Sequence, residues 1–175
     1  MTCIKLKDED NLVIQPFIIG NLLYDLKARS FLESDYYKDT FRDPLYNSLN
    51  EMTLESQGVI IILFYSFLVV PYERLKKELP DDYDDINIKI QNFINKNVFT
   101  LEGNYKDHDY LKHIRNATAH VKYRFVSNTS LTFIDDNTRK GYHLELTIPL
   151  GSIHLILNDL RRLIVNYFLN NREIV

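Results

Sequence analysis

The residues with the clearest capacity for chemistry lie between Tyr110 and Arg124: Tyr-Leu-Lys-His-Ile-Arg-Asn-Ala-Thr-Ala-His-Val-Lys-Tyr-Arg. They bring together two imidazoles, two guanidiniums and a carboxamide. An imidazole titrates near pH ~6.5, so it can take and return a proton at neutral pH. A guanidinium is permanently charged and its planar fork fits phosphate oxygens two at a time. On a helix, residues three, four or seven apart share a face. Leu111, Ile114, Ala117 and Val121 then form an apolar side, while Asp109, His113, Asn116 and His120 form a polar stripe with Arg115 at its edge. Ala117, Thr118 and Ala119 leave room between Arg115 and His120.

For His120 two readings stand open: a structural histidine at a helix end, or a general base. Arg115 likewise reads either as one half of a surface ion pair or as the cation that steadies an anion. RNA carries its own nucleophile, the 2′-hydroxyl, so a base and a phosphate-steadying cation suffice for cleavage without a metal. Asn116 lies one turn before His120 and can orient the imidazole or hold a substrate hydroxyl. Lys112, His113, Lys122, Tyr123 and Arg124 are the candidates for substrate contact. Asp109 and His113, one turn apart, could share an ion. His113 and His120, however, lie about 10.5 Å apart along the axis at ~1.5 Å per residue, too far for one zinc. No metal and no cofactor are expected.

The pattern Arg115-Asn116-x-x-x-His120, late in a helix and followed by an extended polar segment, resembles the Arg-x(4–6)-His signature of the HEPN superfamily. The resemblance is sharp from about Asp107 to Ile148. It implies a small helical bundle that pairs as a homodimer and sets two copies of the motif in one cleft. It further implies a metal-independent endoribonuclease with Arg115, Asn116 and His120 as catalytic residues. A role as a bacterial toxin or phage-defence effector, with an antitoxin protein as a further partner, is implied in the same way. In one branch of the superfamily a Tyr two residues after the His is adenylylated. Here Tyr123 comes three after His120, which puts that control in doubt. The rival reading is a non-catalytic HEPN-like dimer that binds RNA, a nucleotide or a partner protein.

The rest of the chain must position this helix. Its 175 residues suffice for one domain with a sizeable core, and 45% apolar residues with 12 Tyr and 10 Phe fit a globular chain. Cys3 is the only cysteine, and no secretory signal is evident, so a reducing cytoplasm is expected. The net charge of −3 argues mildly against a protein that coats nucleic acid, and no DNA partner is expected. The charge is uneven: Lys106 to Arg124 is locally basic and Asp81 to Asp85 acidic. The acidic cluster suits a helix start better than a metal.

A first helix is expected from Pro16, with Ile19, Leu22, Leu23 and Leu26 on its apolar face up to about Leu32. Ser34 to Pro44 reads as a connector. A second helix should start near Asn50 and pass through the apolar run Val59 to Val70. That run is too short for a membrane span of about 20 residues, so it reads as a helix buried on all sides. Pro71 should kink or end it and Pro80 stop its continuation. Ile86, Ile90, Phe93 and Ile94 mark another helix. After His120 the period switches to two: Val121–Phe125, Leu131–Ile134 and Tyr142–Ile148 read as strands, with turns at Ser127–Ser130 and Asp135–Gly141. Ile153, Ile156, Leu157, Leu160, Leu163, Ile164, Tyr167 and Phe168 form a helical stripe in the last helix. The expectation is a single mainly α domain over residues 1–175, a HEPN-like bundle of four to five helices. A small antiparallel β insertion at 121–148 would precede the last helix.

Overall fold

A computed structural model of the chain describes residues 5–29, 34–36, 57–105, 107–137, 139 and 141–172. A 3-10 turn at Asp8–Asp10 leads into α1 (Asn11–Ala28). Next comes α2 (Gln57–Phe64), which runs directly into a π-helical turn, Tyr65–Val69. α3 (Tyr72–Glu78) and α4 (Pro80–Asn95) follow. β1 (Thr100–Gly103) precedes α5 (Tyr110–Ala119). Three strands, β2 (Tyr123–Val126), β3 (Ser130–Asn137) and β4 (Tyr142–Pro149), lead to α6 (Leu150–Asn171). The fold is mainly α, with a small antiparallel sheet before the last helix. The described residues hold six helices, because Pro71 and Pro80 divide the middle of the chain into short segments.

Pro71 lacks the N–H that would continue the ladder, so the helix restarts at Tyr72 with a bend of 44°. Pro80 ends one helix and also begins the next. It occupies the first turn of α4, where its missing N–H costs nothing, and Asp81 and Asp82 follow it at the favourable end of the dipole. Val59, Ile60, Leu63, Phe64, Phe67 and Leu68 are buried and form the centre of the core. The helix is not buried on all sides, however: Ile62 is 43% and Val70 42% exposed. No single helix among the described residues is long and apolar enough to cross a membrane, and only the bent pair Gln57–Val69 and Tyr72–Glu78 meets that test jointly. The presumed start near Asn50 and most of the Ser34–Pro44 connector lie outside the described residues.

α1 departs from expectation. It begins at Asn11, with Pro16 inside it, and its buried face is Val13, Phe17 and Gly20; Ile19 and Leu22 point outward. Gly20 decides the rotation. A Cβ there would stand 2.7 Å from the Phe67 ring, so this helix approaches the π turn only through a glycine. In α6, by contrast, all eight residues of the expected stripe are buried.

The sheet order is β1-β4-β3-β2, every pair antiparallel. β1 comes from before α5, and the four residues Thr-Leu-Glu-Gly carry too little alternation to be read as a strand. β3 runs on through Asp135, Asp136 and Asn137, which pair with Leu144, His143 and Tyr142. These polar residues read as a turn in the sequence, but the ladder to β4 holds them in the strand. Gly103 ends β1 at φ 119, and a Cβ there would lie 2.1 Å from the His143 carbonyl oxygen. Gly103→Ala should therefore destabilise the protein by about 3 kcal/mol through backbone strain and overlap. Urea denaturation checks this, and a loss below about 0.5 kcal/mol would contradict the β1–β4 register.

Candidate active site

α5 is fixed at both ends. Asp109 caps its start: Oδ1 accepts from the Lys112 N–H at 3.3 Å and from Asn87 Nδ2 at 3.1 Å, and Oδ2 accepts from the Tyr72 hydroxyl at 3.1 Å. At the other end the Val121 N–H donates to the Thr118 carbonyl (3.2 Å) and the Lys122 N–H to the Ala117 carbonyl (2.8 Å). This paired closure needs a left-handed residue, normally glycine, directly after the cap. Here the cap is His120 and the left-handed residue is Val121, at φ 55. A β-branched residue in that region is strained by roughly 1 kcal/mol or more. The helical reading of Val121 as part of the apolar face thus fails: it is 68% exposed. Leu111, Ile114 and Ala117 do form the buried face.

The stripe of Asp109, His113, Asn116 and His120 does not face outward as a whole, because β3 packs along part of it. His113 is 2% exposed. Its Nδ1 donates to Asp135 Oδ2 at 2.7 Å and its Nε2 to Asp107 Oδ1 at 2.8 Å. Both partners are carboxylates that only accept, so both ring nitrogens carry protons and the ring is an imidazolium. Burial opposes that charge, but the hydrogen bonds and charges of Asp135 and Asp107 outweigh it and raise the His113 pKa. Asp135 and Asp107 are pushed in the other direction: burial works against their ionised forms, and the bonds to His113 more than restore them, leaving both pKa values lowered. His113 is therefore occupied on both sides and is not presented for substrate contact.

Asp135 Oδ2 also accepts from Asn116 Nδ2 at 3.1 Å and from the Tyr142 hydroxyl at 3.3 Å. With its NH₂ turned to this carboxylate, Asn116 points its oxygen at Arg115, whose Nη1 donates to it at 3.2 Å. Arg115 Nη2 pairs with Glu73 Oε1 at 3.1 Å, and Arg115 Nε is buried without a partner among the described residues. His120 is exposed, and among the described residues no hydrogen bond or ion pair engages its ring. Every other polar side chain from Asp109 to Thr118 has a partner, including Lys112, paired with Asp107 at 3.4 Å, and Thr118, bonded to the Ile114 carbonyl at 2.8 Å. Lys122 is exposed, Tyr123 half-buried on the edge strand β2, and Arg124 is ion-paired across the sheet with Glu145.

The structure thus brings Arg115 and Asn116 into one network and leaves His120 free one turn on. Sequence reasoning missed Asp135, Asp107 and Glu73. For Asp135 a signal existed: it shares the inward parity of Leu131 and Phe133. Among the described residues no cluster of three or more His, Cys, Asp or Glu is arranged to hold a metal ion.

Comparison with known protein families gives a match over nearly the whole chain. The model for the family described as HEPN pEK499 p136 covers residues 8–171. The chain belongs to this HEPN family. No curated protein and no solved structure matches it significantly. The match spans every element described above, so the HEPN assignment no longer depends on the Arg-x(4)-His spacing alone.

The buried imidazolium sets a pH dependence. A raised histidine pKa contributes stability that is complete below the unfolded value of about 6.5 and is lost as pH rises through the folded value. The lowered Asp135 and Asp107 values contribute stability that is present above about pH 4 and is lost as pH falls. Thermal melts should therefore show a decline as pH rises above about 6.5 that His113→Gln lacks, with the variant less stable at pH 6. Parallel curves for the two proteins would contradict a charged His113.

Proposed function

We propose that this HEPN protein is a metal-independent endoribonuclease in which His120 is the general base and Arg115 the phosphate-steadying cation. The observation that carries the reading is the free imidazole. Along a helix whose other polar side chains are all engaged, His120 alone presents its ring to solvent, beside a strained backbone residue. Such strain persists only where surrounding structure enforces it, and it collects at functional sites. The base takes the proton of the RNA 2′-hydroxyl, the oxygen attacks the adjacent phosphorus to close a 2′,3′-cyclic phosphate, and the 5′-oxygen of the next nucleotide leaves, taking up a proton from water to become a hydroxyl. Asn116, oriented by Asp135, holds Arg115 toward the developing charge. Lys112, Lys122 and Arg124 supply positive charge around the path of the strand.

In this reading two copies pair so that both motifs line one cleft, an arrangement that HEPN resemblance implies. A toxin or phage-defence role, with an antitoxin partner, belongs to the same proposal. One observation favours the non-catalytic alternative, a dimer that binds RNA, a nucleotide or a protein: Arg115 is already occupied by Glu73 and Asn116.

His120→Ala and Arg115→Ala separate the two. Each should reduce RNA cleavage by about 10²–10⁴-fold with the fold intact, and the double variant should be scarcely worse than either. The control is Lys96→Ala, an exposed residue beyond the end of α4, since the turn residue Lys140 lies outside the described residues. Equal cleavage rates for wild type and His120→Ala would mean that the activity is contamination, and the binding reading would replace this one.

A further inference from the structure

Arg115 offers two donor edges. The end-on edge is turned to Asn116 through Nη1. The side-on edge consists of Nε and Nη2, which point the same way and bind a phosphate or carboxylate through two parallel bonds. Glu73 uses only half of it. Its Oε1 lies 3.1 Å from Nη2, while Nε has no partner among the described residues. A buried guanidinium N–H left unpaired is unfavourable and uncommon. The Glu73 side chain is 67% exposed and the Arg115 side chain 25%, so the pair lies at the protein surface. Glu73 itself stands on a rigid base. Its neighbours on α3 are tied down: Tyr72 to Asp109, Arg74 to the fully buried Asp10, and Lys76 to Asp84.

We infer that the Nε–Nη2 edge of Arg115 is a phosphate subsite and that Glu73 is its resident competitor, displaced when a phosphodiester binds. The inference deepens the ribonuclease reading and rests on it only for the nature of the ligand. A phosphodiester has the same charge as the carboxylate but two oxygens spaced to satisfy both donors, including the one Glu73 leaves empty. Glu73 thus keeps Arg115 placed in the free protein and makes phosphate binding an exchange of one anion for another. Exposed ion pairs are weak, so the exchange has a low barrier and a modest cost in affinity.

The test is binding of a short fluorescent single-stranded RNA with 2′-O-methyl riboses, which cannot be cleaved. Glu73→Gln keeps an acceptor and removes the charge. It should tighten binding about two- to fivefold, the span expected for losing one exposed ion pair. In the Arg115→Ala background the same substitution should give no gain. Asp81→Asn, an exposed acid in the first turn of α4, controls for the general effect of removing a negative charge. A gain no larger than that of Asp81→Asn, a gain that survives Arg115→Ala, or no binding by any variant would each overturn the inference. If the Arg115-dependent gain appears but unmodified RNA is left intact by wild type and Glu73→Gln, the subsite stands and the ribonuclease reading falls.

Discussion

The site depends on one charge arrangement, the buried His113 imidazolium held between Asp135 in the interior and Asp107 at the surface. Leaving the buried His113 or Asp135 charge unpaired would be costly, so these two residues fix one another, and the half-exposed Asp107 closes the outer side of the ring. Together they lock α5 against β3 in one register. Asp135 then passes that order outward. Its second acceptor bond turns the Asn116 amide, and the amide turns Arg115. The polar stripe of α5 is therefore a structural chain that starts in the interior and ends at a cation near the surface.

The other end of the helix works by backbone rather than charge. A paired closure with Val121 in the left-handed region fixes where His120 leaves the helix and turns the chain directly into β2. The π turn at Tyr65–Val69 adds a contact, with the Tyr65 hydroxyl bonded to the Ala119 carbonyl at 3.3 Å. α3 serves as the hub on the opposite side. Its residues reach the cap of α5 through Tyr72, Arg115 through Glu73, and through Arg74 the carboxylate of Asp10, which Arg172 at the end of α6 also clamps. Both ends of the described chain are thus tied to the short helix that carries Glu73.

Much of this fold was legible because hydrophobic period reports burial. The stripe of α6, the apolar run of α2 and the alternation of β4 all form the elements their spacing indicates. Legibility failed where a single contact outweighed the pattern. The rotation of α1 follows the fit of Gly20 against Phe67, not the larger apolar side chains Ile19 and Leu22. β3 outlasts its hydrophobic stretch because the ladder to β4 carries polar residues along. At the site, the spacing of Arg115, Asn116 and His120 was readable on one helix. His113 was read as outward-facing because periodicity shows which residues share a face and not what packs on it. Glu73 was invisible for the same reason, and Asp135 offered only its inward parity: their partners on α5 lie 19 or more residues away, and only the assembled fold joins them.

The most direct test of the central claim, that Arg115 and His120 cleave RNA through its own 2′-hydroxyl, is the chemistry of the cut end. Purified protein should be incubated with a defined RNA in excess EDTA and the products resolved by mass. The account predicts cleavage that survives the chelator and leaves a 2′,3′-cyclic phosphate. Cleavage that stops with EDTA and returns with magnesium or zinc, or that leaves a 3′-hydroxyl with a 5′-phosphate, would contradict it.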